Sequence, residues 1–181
     1  MVETIPDLPV RTARTPTQIQ FQLQSLSATC PVVIADGPGG IDDETATLLL
    51  VSDVVLLPVR GNIFDLRSTS KAVAKIAHAN EMRAHDGRPP LITRVILNHL
   101  DRRLKRAKTI RHTVQKLGLP VANTVLRYAD SFAEAPQQNT LVTRMQSPKA
   151  RDAKLDLQHL FVELMTEVIP APRQFGATAH E

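Results

Sequence analysis

The chain has no tryptophan, one tyrosine (Tyr128) and one cysteine (Cys30) in 181 residues. A lone cysteine rules out an intrachain disulfide, as suits a reducing compartment. Aromatics at 3% argue against a base-stacking platform of the single-strand-binding kind. No apolar run approaches the roughly 18 residues that span a bilayer. The opening MVETIPDLPV carries no basic stretch followed by an apolar one, so a cytoplasmic location is expected. The six histidines show no metal-ligand spacing. No lysine follows a glycine anywhere, so a phosphate-gripping loop with its lysine is missing from these residues.

What is present is ordinary for a globular protein: 43% hydrophobic and 22% charged residues, in a length that suits one domain. The net charge of +4 and pI near 9.6 permit an acidic partner without demanding one.

The most informative stretch is Val32-Val33-Ile34-Ala35-Asp36-Gly37-Pro38-Gly39-Gly40. An apolar run entering an aspartate and a glycine-rich loop is how a buried parallel strand ends where its carboxyl edge carries a site. Glycines there let backbone amides approach a ligand without Cβ interference. The pattern predicts strands over 32–35, 53–59, 91–97 and 121–126. Between them it predicts helices over 41–51, from Asn62 or Asp65 to about Met82, and over 102–117, the last closed by Gly118. A helix also precedes the first strand (17–29) and another follows Ser147-Pro148, where Leu157, Leu160, Phe161, Leu164, Met165 and Val168 repeat at helical spacing. Alternating strands and helices mean an α/β fold, a mostly parallel sheet with helices on both faces. Residues 1–168 read as a single domain with an extended lead-in over 1–16, and 169–181 as a flexible tail.

Five segments in register resemble the ParA/MinD family of deviant Walker ATPases, above all its plasmid- and chromosome-partition ParA branch. They are Asp36-Gly37-Pro38-Gly39-Gly40, Leu57-Pro58-Val59, Phe64-Asp65-Leu66, Ile96-Leu97-Asn98 and Phe132-Ala133-Glu134-Ala135. Their order and spacing match from about residue 20 to residue 168. The resemblance implies a P-loop NTPase-like fold that is N-terminally truncated, because the family opens with a strand and a K-G-G-x-G-K-[ST] loop that this chain lacks. By the same analogy the missing strand is central, so its neighbours would show unpaired edges and exposed apolar surface.

The resemblance also implies a site. Asp36 corresponds to the aspartate that holds the Mg²⁺ shell through water, since a hard cation prefers oxygen ligands. Gly37, Pro38, Gly39 and Gly40 correspond to the loop that senses the γ-phosphate. Asn98 corresponds to an adenine contact, an amide being able both to donate and to accept. The basic run Arg102, Arg103, Lys105, Arg106, Lys108 and Arg111 matches by residue type the surface that binds DNA non-specifically through phosphates. Each has a plain structural alternative: a strand-end cap, a tight turn, a polar strand-end residue and a solvated helix face.

Two readings follow, with a third set aside. One is a ParA-like partition ATPase using ATP and Mg²⁺, forming a homodimer, answering to a ParB-like partner, and lying at the nucleoid if it binds DNA. The other is a non-enzymatic remnant that keeps an interaction or DNA-binding surface, because phosphoryl transfer in this class rests on positioning and charge stabilisation that the missing loop supplies. A membrane-bound MinD-like role is disfavoured, since the tail APRQFGATAHE has no apolar stripe. Weak or absent ATP turnover by the chain alone is the expectation.

Overall fold

The computed structural model describes residues 8–38, 43–60, 63–100 and 105–169, and leaves aside the side chains of 63–67 and of 105 and 106. The described residues divide into two compact units, one ending at Val51 and the other running from Ser52 to Ile169. Each is described by itself.

The first unit is two helices and a segment of no regular secondary structure. Helix α1 (Pro16–Ser27) begins where Thr15 takes extended backbone and its side chain accepts the Gln18 N–H, with Pro16 in the first turn. It stops before Cys30-Pro31, a pair that avoids helical backbone. Helix α2 (Asp43–Val51) carries Asp43 and Glu44 in its first turn, where negative charge complements the exposed N–H groups. Ile19 of α1 and Leu49 of α2 are the buried apolar side chains of these two helices.

The expected strand over 32–35 does not form. Residues 32–38 take no regular secondary structure and join no ladder, and Ile34 is 91% exposed and Val32 45% exposed. Apolar β-branched residues favour extended backbone, but a strand exists only where a neighbour supplies the other half of its hydrogen bonds.

The second unit is a three-stranded parallel sheet between helices. Its strands are β1 (Val54–Val59), β2 (Ile92–Leu97) and β3 (Val121–Val125), in that spatial order. Val54 pairs with Ile92 and Val59 with Leu97. Parallel neighbours need crossovers, and two successive crossovers in one direction place both helices on one face. Helices α3 (Ile63–His85) and α4 (Lys105–Lys116) do so: Val73 of α3 and Ile110 and Val114 of α4 pack on Leu57, Val59, Val95 and Leu97. Val95, Leu97 and Val114 are wholly buried, each contributing about 1.5–3 kcal/mol by burial. On the opposite face α6 (Arg151–Glu163) sets Leu160 against Ile96 and Ala122.

Connections follow their residues. Gly87 (φ 66°) and Gly118 (φ 78°) occupy the left-handed positions that end α3 and α4, where a side chain would be strained. The last turn of α3, which leads into the segment that joins it to β2, carries a buried cation. Arg83, 1% exposed, donates from Nε to the Pro89 carbonyl (2.8 Å) and from Nη1 to the Ser52 carbonyl (2.6 Å). It ties the end of α3 to the chain leading into β1 and β2. Ser147 caps a short 3-10 turn (Pro148–Ala150) that leads into α6. The Phe-Ala-Glu-Ala segment lies in α5 (Ser131–Gln137).

Of the apolar positions expected over 157–168, Leu160 and Val168 are buried and Leu157 and Leu164 half-buried and packed, while two are turned out. The buried positions of α6 are Ala153, Asp156, Leu160 and Glu163, and Phe161 and Met165 are 63% and 41% exposed. Two carboxylates seven residues apart face the sheet because each finds donors there.

Candidate functional site

Ligands of open parallel sheets lie beyond the carboxyl ends of the strands. In the second unit three neighbouring strands deliver Arg60, Asn98 and Arg127 to that edge. Asn98 is half-buried one residue past β2, and its backbone N–H donates to the Val59 carbonyl at 2.9 Å. No hydrogen bond engages its side-chain amide among the described residues. A free carboxamide at this edge has the donor and acceptor that an adenine edge needs.

His99 follows with φ 60°, left-handed backbone uncommon for a side chain of its size. Its ring meets that of Tyr128 at 4.6 Å between centroids, tilted by 47°. The Tyr128 hydroxyl donates to Asp130 at 2.7 Å. That hydrogen bond, and the charge of the same carboxylate, raise the phenol above its ordinary 10.0. Sequence reasoning missed this pair. Arg-Tyr-Ala-Asp directly after a strand was the signal for it.

Arg127 is committed to structure. Its Nε donates to Asp156 Oδ2 (2.6 Å), its Nη2 to Asp156 Oδ1 (3.0 Å), and its backbone N–H to Oδ2 (3.2 Å). Nη1 adds Asp152. Asp156 is wholly buried, so this fork is what keeps a carboxylate tolerable inside.

Glu163 does the equivalent one level down. Two extra residues on β3 separate the pairs Val95↔Val121 and Leu97↔Val125. Such a bulge takes N–H groups out of the ladder. Glu163 accepts the Asn123 N–H at Oε1 and the Thr124 N–H at Oε2, the latter at 2.8 Å. Burial pushes this carboxyl up, but the bonds from Thr124 and Asn123 and the charge of Arg94 outweigh it, so it ionises below its ordinary value.

The metal side of the expected site lies in the first unit. Asp36 is exposed and follows no sheet strand, so nothing in its unit fixes the carboxylate as a strand end would. Gly37 approaches α2 closely: a Cβ there would come within 2.6 Å of Leu48 Cδ1. The Pro38 carbonyl accepts the Thr45 hydroxyl at 3.2 Å. Gly39 and Gly40 lie outside the described residues. Among the described residues no cluster of His, Cys, Asp or Glu has the geometry to hold a metal ion. Asp36 and Asn98 belong to different units, and each is placed only within its own.

Lys105, Arg106, Lys108 and Arg111 of the basic run lie on α4, whose inward face is Ala107, Ile110 and Val114. Lys108, His112 and Lys116, one helical turn apart, form an exposed row. Arg111 is half-buried and donates to the Asn123 carbonyl at 3.2 Å, so part of its capacity serves β3. Arg102 and Arg103 lie outside the described residues, as do the side chains of Lys105 and Arg106. No helix among the described residues is long and apolar enough to cross a membrane.

No family model matches the chain. It is similar to "Maintenance of carboxysome distribution protein A" of Halothiobacillus neapolitanus (strain ATCC 23641 / c2), with 24% identity over 140 residues. The match covers 77% of this chain and 60% of that protein, under two thirds of the relative's length. Together with the parallel α/β sheet, this similarity supports a ParA/MinD-like relationship.

Proposed function

We propose that the chain is a ParA/MinD-like positioning protein. By this reading it binds ATP and Mg²⁺, pairs as a homodimer, holds DNA non-specifically and answers to a ParB-like partner. The single observation that carries this reading is the similarity over 140 residues to a protein named for carboxysome distribution. That name makes the placement of a large intracellular body as natural a task as plasmid or chromosome partition.

Within this reading the bound nucleotide supplies the switch between monomer and dimer. Asn98 orients the base, Asp36 takes the water shell of the cation, and residues 37–40 meet the γ-phosphate. Lys108, His112 and Lys116, with the cations nearer the start of α4, contact DNA phosphates. Such binding loses affinity steeply with salt and ignores sequence. Because the described residues offer a base edge but no fixed phosphate grip, this polypeptide alone is expected to bind ATP weakly and to turn it over little or not at all.

The test pairs two titrations of the full chain. In one, ATP–Mg²⁺ binding is followed calorimetrically for the native chain and for Asn98→Ala. In the other, random-sequence duplex is titrated at rising salt for the native chain and for Lys108→Glu/Lys116→Glu. Weak nucleotide binding lost in Asn98→Ala, and salt-sensitive DNA binding lost in the double variant, support the reading. A chain that binds neither ligand at low salt ends it.

A further inference from the structure

Helix α6 meets the sheet with one side, and its other side does not have the composition of a solvated helix. Ala153, Asp156, Leu160 and Glu163 define the buried side. At about 100° per residue, Arg151, Lys154, Leu155, Phe161, Val162 and Met165 spread over the opposite side. The last four are large apolar side chains, 41–63% exposed. Apolar residues gathered on one outward face mark an interaction surface, as scattered ones do not. An incomplete sheet does not account for them. A strand added to either edge would extend the sheet sideways, beneath the helix layer rather than over it. A further helix beside α6 would reach one flank only, and Leu155 and Phe161 stand about 120° apart around the axis.

The start of the same helix is cationic. Lys149 and Arg151 are exposed and Lys154 is half-buried. The 3-10 turn Val142–Arg144 packs at this end, with Val142 and Met145 against Ala150 and Ala153, and it carries Arg144, also exposed. Among the described residues none of these four cations makes an ion pair or a side-chain hydrogen bond. The acids of the helix are engaged elsewhere: Asp152 and Asp156 with Arg127, Glu163 with N–H groups of β3. Glu167 lies past the apolar residues. The outer surface therefore runs from free positive charge at its start to apolar side chains from Leu155 onward.

We infer that this surface docks an acidic amphipathic helix of a partner protein. The carboxylates of that helix lie over Arg144, Lys149, Arg151 and Lys154, and its apolar side chains cover Leu155, Phe161, Val162 and Met165. Charge complementarity selects this occupant. The chain's own residues 170–181 offer Phe175 but only Glu181 as a side-chain carboxylate, offset by Arg173. A phosphate backbone has no use for the apolar half. A membrane surface suits cations and apolar groups side by side along a helix, rather than one after the other. The contact needs neither nucleotide nor DNA, so it goes beyond the positioning role and does not depend on it.

The experiment selects from a random library of displayed peptides against the full chain without nucleotide. Peptides of about 15 residues are long enough to follow α6 at about 1.5 Å per residue. The enriched sequences are then synthesised with a fluorophore and titrated by anisotropy. The expected peptides carry Asp and Glu toward one end and Leu, Ile or Phe at helical spacing toward the other, and their binding weakens severalfold as salt rises. Arg151→Glu/Lys154→Glu and, separately, Phe161→Ser/Val162→Ser should each weaken binding at least about tenfold. Arg11→Glu/Arg14→Glu, an equal change of charge elsewhere, should leave it unchanged. The thermal midpoint checks that each variant folds. Enriched peptides that are not acidic, or that bind the α6 variants as tightly as the native chain, overturn the inference. Cosedimentation with anionic vesicles that Phe161→Ser/Val162→Ser abolishes would overturn it in favour of lipid. Self-association abolished by the same variant would do so in favour of a second copy. Peptide binding that appears only once residues 170–181 are removed would give the surface to the chain's own tail.

Discussion

The two edges of the sheet solve the same problem in opposite ways. Both β1 and β3 end the ladder and so carry backbone groups with no strand to meet them. At β3 the groups are met by side chains from one helix. Glu163 takes two N–H groups at the bulge, and Asp156 takes the Arg127 backbone N–H together with its guanidinium. At β1 no such carboxylate is placed among the described residues, and an apolar strand stands half-exposed. A sheet edge can be closed by a few well-aimed anions, without a further strand, when a helix runs along it in the right phase. An edge built only of Val, Leu and Pro has no means of closing itself.

The contrast predicts where the unit is vulnerable. Arg127→Ala is the most damaging change, because it leaves the wholly buried Asp156 carboxylate without its cation; a loss of about 3–5 kcal/mol is expected in urea denaturation. Replacing both partners with apolar residues (Arg127→Met/Asp156→Leu) should recover much of that loss. If the single and double variants are equally unstable, the β3 edge is held by something other than the ion pair.

Glu163→Gln is next, at about 2 kcal/mol, since an amide offers one acceptor where two N–H groups wait. This carboxyl ionises more readily folded than unfolded, so its contribution is fully present above the ordinary value of 4.5 and is lost as pH falls through the lower folded value. Stability measured from neutral pH downward should therefore fall in that acid range for the native chain and less steeply for Glu163→Gln. Parallel curves would remove Glu163 from the account.

At the opposite edge, Leu56→Lys should change the stability of dilute protein by no more than about 0.5 kcal/mol, as for other half-exposed positions away from buried networks. A loss as large as that of Glu163→Gln would mean that β1 is covered after all and that the contrast between the edges is false.

Much of the architecture was legible. The apolar run at 54–59 and the Val/Ile-bearing segments at 92–97 and 121–125, separated by helical patterns and by Gly118, are local signals that tertiary context had no reason to override. The segment at 32–35 has equally strong local character but forms no strand, because pairing is a property of two segments and the sequence displays only one. The face of α6 was legible only in part, for a related reason. Counting apolar residues favours Phe161 and Met165, whereas the helix turns Asp156 and Glu163 inward because the donors of Arg127 and the β3 bulge lie there. Carboxylates seven residues apart look like a solvated face until their partners, 29 to 40 positions distant, are known.

The candidate site divides along the same line. Asn98 and the basic helix could be placed from sequence because each depends on the end of one strand or the pitch of one helix. That Arg111 is partly spent on the Asn123 carbonyl, that His99 stacks on Tyr128, and that Asp36 lacks a strand to fix it could not. By itself the sequence determined the order of elements, the parallel α/β class and the cations of α4, since these follow from periodicity, capping and composition within short windows. Only the tertiary structure decided which sheet edge is closed and which is open, because a hydrogen bond or a buried charge is settled by whether its partner, far along the chain, is brought within reach.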